Sequence, residues 1–129
     1  MISGFQGREL DARYLAYFDC FNRQLFFEAH EALEALWLQQ RGGPKDRFYK
    51  GLIQLAGAFV HAQKGRRGPA AALLKLARSN LERYPAVYEE LELARAQDII
   101  ELWLRQVETD EGGIEALSAS QAPKLRLRC

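Results

Sequence analysis

The chain has 129 residues, 48% hydrophobic and 27% charged, with 18 basic side chains against 17 acidic ones and a formal net charge of +1. One domain with its own core is the expectation at this length, and a near-neutral balance gives no global pull toward nucleic acid or anionic lipid. No apolar run approaches the roughly 20 residues of a membrane span, and the N-terminus lacks the basic and apolar regions of a secretory signal.

Hydrophobic period predicts a first helix from Glu9 to Phe21, with Leu10, Tyr14, Tyr17, Phe18 and Phe21 as its apolar stripe. Cys20, among these aromatics, reads as a small buried hydrophobe. With only one other cysteine, Cys129, there is no disulfide framework and no Cys-x-x-Cys spacing, and a reducing, cytoplasmic setting is expected. Asn22 suits the N-cap of a second helix running to Gln40 and stopped by Gly42-Gly43. Pro44 and Asp46 suit the first turn of a third helix, which reaches Lys64 and is closed by a left-handed Gly65. A fourth helix carries Leu73, Leu74, Ala77, Leu81 and Tyr84 and ends before Pro85.

The stretch from Pro85 to Leu93 reads either as a short helical turn or as the start of a long last helix. That last helix holds Ile99, Ile100, Trp103, Leu104 and Val107 and ends near Gly112-Gly113. Residues 1–113 are therefore expected to form a helical bundle domain and 114–129 an irregular tail. In the tail, Lys124-Leu125-Arg126-Leu127-Arg128 alternates like an edge strand or an interaction arm. The fold class is all-α, a compact up-down bundle of five or six helices joined by short connections.

Segment 26–37 is the most informative. At about 100° per residue, Phe26, His30, Leu33 and Trp37 share one stripe, which points His30 at the core with Glu34 one turn beyond. Glu28 and Glu31 project elsewhere. On the third helix, Phe48, Leu52, Leu55 and Phe59 form the core stripe, while Gln54 and His61 share a second one with Gly57 and Ala58 between. A mid-helix glycine costs about 1 kcal/mol relative to alanine, so Gly57 is expected to admit a close helix. An antiparallel hairpin about Gly42-Gly43 brings His30 level with Gly57 and His61 near Phe26 and Phe27. The two histidines of the chain then line one inter-helix space.

These residues carry a family resemblance. Phe26 or Phe27 through Trp37 matches a core of the form Phe-x-Glu-x-His-Glu-x-Leu-Glu-x-x-Trp. Phe48 through His61 matches Phe-x-x-Gly-Leu-Ile-Gln-x-Ala-x-Ala-x-x-His, and Asn22 and the Leu73, Ala77, Leu81 spacing fit as well. The chain resembles the family catalogued as domain of unknown function 309 over about residues 10 to 85, with Gly65-Arg66 where Gly-Asn is frequent. The resemblance implies a compact helical fold and no established function, although a label of metal-dependent hydrolase is sometimes attached to it.

Two functional readings follow. The first is a buried polar seam of His30, Glu34, Gln54 and His61 that fixes helix packing in a structural or partner-binding protein, homo-oligomerisation included. The second is a metal-dependent hydrolase. His30-Glu31-x-x-Glu34 is a relative of the zincin pattern, with His30, Glu34 and His61 as ligands to a divalent ion such as Zn or Mn and Glu31 or Glu28 as the acid–base group. A catalytic zinc site wants three protein ligands and an open position, and Gln54 is a poor third ligand. No nucleophile elbow or phosphate-binding loop is present, and Arg66-Arg67 and the tail cations make a weak case for nucleic acid.

Overall fold

A computed structural model describes residues 10–108 and 123–127. Among them are five helices, α1 (Ala12–Asn22), α2 (Phe26–Gln39), α3 (Asp46–Gln63), α4 (Arg67–Leu81) and α5 (Leu93–Glu108), and one hairpin of β1 (Val87–Tyr88) and β2 (Leu91–Glu92). Successive helices pack on one another, as the short connections require. The all-α bundle expectation holds.

Helix α3 is the hub. It meets α1 where the Tyr17 hydroxyl donates to the Leu52 carbonyl at 2.7 Å. It meets α2 where Phe26 and Phe59 stack with ring centres 5.1 Å apart, and α5 where Trp103 stands edge-on to Phe59 at 5.5 Å. It meets α4 at Gly51, where an added Cβ would lie 2.8 Å from the buried Leu81 side chain. The expectation that Gly57 admits the close helix is corrected: a Cβ there would meet only Leu73 Cδ1, at 3.4 Å.

The helix ends follow capping rules, with two surprises. Asp11 accepts from the Arg13 N–H at 2.7 Å and starts α1 three residues later than Glu9. Asn22 does not cap α2; it is the last residue of α1. The α1–α2 reversal is a Schellman motif, with Leu25 N–H donating to Cys20 C=O and Gln24 N–H to Phe21 C=O. Gln24 takes the left-handed position at φ 63°, where glycine is usual, so the residue type hides the turn. The same motif closes α3 through Gly65 at φ 73°, as expected, with Arg66 N–H donating to His61 C=O.

The start of α3 is held from two distant places. Asp46 accepts from the Trp37 indole at 2.6 Å and from Gly42 N–H at 2.8 Å. The Tyr84 hydroxyl accepts from Phe48 N–H at 3.0 Å and donates to the Pro44 carbonyl at 2.8 Å, satisfying one of the free first-turn donors.

The ambiguous stretch is neither of the predicted helical forms. Val87 pairs with Glu92 and Tyr88 with Leu91, around Glu89 and Glu90 at φ 48° and 63°. Two central residues with positive φ match the right-handed twist of a two-residue hairpin, although Asn-Gly is the usual sequence for it. Tertiary contacts hold the turn: the Tyr14 hydroxyl donates to the Glu89 carbonyl at 2.7 Å, and Lys45 pairs with the Glu89 carboxylate at 3.1 Å. Glu89 and Glu90 are half-buried, whereas Glu82 and Glu92 on either side are exposed.

The alternating tail segment lies along the bundle. Leu125 is buried, and Leu127 makes an isolated antiparallel bridge to Leu91. The expected end of α5 near Gly112-Gly113, and Cys129, lie outside the described residues. Among the described residues, no helix is long and apolar enough to cross a membrane.

Candidate functional site

The sequence places His30, Gln54 and His61 on two helices, and the fold brings them to one groove. Phe27 and His30 of α2, Ile53, Gln54, Gly57, Val60 and His61 of α3, and Leu73 of α4 enclose about 260 Å³. Phe27 forms an open rim, 55% exposed, and its ring lies nearly parallel to His30 with centres 6.2 Å apart.

The seam is half open, not buried. The side chains of His30 and Glu34 are 29% and 44% exposed, with His30 Nε2 and Glu34 Oε2 3.9 Å apart. Helical phase explains it. Phe26, Ala29, Leu33 and Leu36 are the buried residues of α2 and span a sector of about 80°. His30 and Trp37 lie about 40° and 20° past Phe26, on the side away from Ala29 and Leu36. The predicted stripe was therefore centred too far toward His30. Trp37 is accordingly not core. It is half-buried, bonded to Asp46, with the Arg41 guanidinium 5.2 Å from its ring centre.

Gln54 is the best-oriented polar group in the groove. Arginine only donates, so the Arg47 bond of 3.1 Å to Asn80 Oδ1 forces the Asn80 amide nitrogen toward Gln54. Asn80 Nδ2 donates to Gln54 Oε1 at 2.7 Å, which turns the Gln54 amide nitrogen outward as a free donor. Asn80, 5% exposed, is the buried polar residue that sequence reasoning did not single out. The legible signal was its position one turn beyond Ala77 on the buried face of α4.

Both imidazoles have their Nδ1 shut from solvent with no protein partner. An unpartnered buried N–H costs more than a bare lone pair, so Nδ1 of each ring is best left unprotonated. The proton then sits on Nε2, at the more open edge. For His30 that edge faces Glu34. His61 is one of the residues that line the groove.

The residues proposed as metal ligands fall short of a closed set. His30 and Glu34 are neighbours and His61 shares the groove with His30. Among the described residues, no three His, Cys, Asp or Glu side chains are grouped to hold an ion. The proposed acid–base residues, Glu28 and Glu31, are exposed. Cys20 is half-buried against the core, and burial, with Asp19 and Glu28 adding to it, pushes its thiol up, away from reactivity.

The fold and groove together define a small helical-bundle protein with a lined inter-helix site. The model of the family described as Domain of unknown function (DUF309) matches residues 14–73. The matched segment contains every residue lining the groove. Comparison with curated proteins and with solved structures found no match.

Proposed function

We propose that this protein is a non-catalytic binding module whose recognition site is the groove between α2, α3 and α4. One observation carries the reading. Gly57 sits in the middle of α3, where glycine costs about 1 kcal/mol against alanine. No backbone conformation requires it there, and an added Cβ would reach only ordinary contact with Leu73. What alanine or valine would do is fill the groove. A local loss of stability with no packing cause is the pattern of a functional opening.

Indole is a suitable first probe, because a cavity of roughly 150 Å³ holds benzene and this groove is larger. Indole added to the isotope-labelled full chain should shift the amide signals of Ile53, Gly57 and Val60. Gly57→Val should abolish the shift while remaining folded. An unmoved wild type, or equal binding by Gly57→Val, would overturn the proposal.

The metal-dependent hydrolase is the second reading, favoured by the His30–Glu34 pair and by His61 on the same groove. It needs those three to close on one ion. Calorimetric titration with Zn²⁺ or Mn²⁺ showing stoichiometric binding, lost in His61→Ala, would favour it over the first.

A further inference from the structure

We infer that the groove takes a small monocarboxylate with a hydrocarbon or aryl body, its carboxylate held by the Gln54 amide nitrogen and His61 Nε2. This rests on the groove being a binding site, and adds the chemistry of the occupant. The reasoning starts from hydrogen-bond direction. Arg47 can only donate, Asn80 transmits that constraint, and Gln54 Oε1 is thereby occupied at 2.7 Å. Gln54, which lines the groove, therefore has its amide nitrogen as the unbonded group, while Oε1 already takes one bond from Asn80. His61, with Nδ1 buried and unpartnered, keeps its proton on Nε2 and offers a donor as well.

Two donors, with the neighbouring amide oxygen already bonded to Asn80, favour a head group that only accepts. An ionised carboxylate does so, and hydrogen bonds to it are charge-assisted. The opposing charge is mild. Glu34 lies 3.9 Å from His30 Nε2, and its side chain is 44% exposed, so water screens it. The lining includes no lysine or arginine, which suits a single negative charge better than a phosphate. Ile53, Val60, Leu73 and Phe27 supply the apolar walls for the body. A volume of about 260 Å³ exceeds the roughly 150 Å³ that accommodates benzene, so a six- to ten-carbon acid is the expected size.

The test uses the labelled full chain at neutral pH with hexanoate, hexan-1-ol and hexylamine, following the Gln54 side-chain amide and the His61 ring nitrogens. Hexanoate should bind about tenfold more tightly than hexan-1-ol, and hexylammonium should bind weakest. Gln54→Glu retains an oxygen for Asn80 but replaces the donor with a second carboxylate. It should weaken hexanoate at least about tenfold and leave hexan-1-ol within about twofold. His61→Leu provides the same loss by a second route if Gln54→Glu does not fold. Equal affinity for hexanoate and hexan-1-ol, or tight hexylammonium binding, overturns the carboxylate while indole still reports a working groove. Failure of all three probes together with indole overturns the groove itself.

Discussion

The side chain of Asn22 and the backbone of Leu125 pair twice, Asn22 Nδ2 donating to the Leu125 carbonyl at 2.8 Å and the Leu125 N–H donating to Asn22 Oδ1 at 2.7 Å. The amide thus replaces a neighbouring strand. Together with burial of Leu125 and the Leu91–Leu127 bridge, it fastens residues 123–127 to the bundle. Asn22→Ala should lower stability by about 1–3 kcal/mol, since two partly buried backbone groups lose their partners. Hydrogen exchange at the Leu125 amide should accelerate by more than the global loss accounts for. Unchanged Leu125 protection would count against the clamp.

Gly51 and Gly57 lie on the same helix and should respond oppositely to alanine. At Gly51 the new methyl would press on Leu81 Cγ and Cδ2 at 2.8 Å and on Asn80 Cβ at 3.3 Å. Leu81 is 1% exposed and has nowhere to go. Gly51→Ala should therefore destabilise by about 1–3 kcal/mol. Gly57→Ala should stabilise by up to about 1 kcal/mol through helix propensity. Urea unfolding midpoints of the two variants check both signs, and midpoints moving in the same direction would remove the distinction.

Asp46 makes stability depend on acid pH. The Gly42 backbone N–H, then the Trp37 indole, hold its carboxyl below the ordinary 3.8. A carboxyl with a lowered folded pKa stabilises the fold above the unfolded value and loses that contribution as pH falls through the folded one. Between about pH 5 and about pH 2, the wild type should lose more stability than Asp46→Asn, which keeps an acceptor for Trp37 but has no charge to lose. Parallel stability curves for the two proteins would contradict this.

The hairpin turn stores strain. Glu90 occupies a left-handed backbone at φ 63°, which costs a non-glycine residue roughly 1 kcal/mol. At Glu89, φ 48°, glycine relieves the same strain but forfeits the Lys45 ion pair at 3.1 Å. Lys45→Met should therefore cost about 0.2–1 kcal/mol in the wild type and close to nothing in the Glu89→Gly background. Urea midpoints of the four proteins read this directly, and an equal cost in both backgrounds would contradict the pairing.

Most of the helical architecture was legible from period and punctuation. The apolar residues of α3 and α5 recur at helical spacing, and Gly42-Gly43 and Gly65 mark real ends. The antiparallel pairing of α2 and α3 was enough to place His30, Gln54 and His61 in one space. These features are local: each depends on residues within a turn or two of chain, or on one short connection.

Other features came only with the three-dimensional packing, because each depends on a partner far along the chain. The phase of α2 was set by what it packs against, which turned Leu36 inward and left Trp37 and His30 on the edge. Gly51, not Gly57, proved to be the close contact because Leu81 lies over it. Glu89 and Glu90 bend into a hairpin because Tyr14 and Lys45 hold that turn. The direction of the Gln54 amide, on which the groove's chemistry rests, comes from Arg47 acting through Asn80. Helical period reports which residues can share a face; only the neighbouring elements decide which face is buried and which way a polar group on it must point.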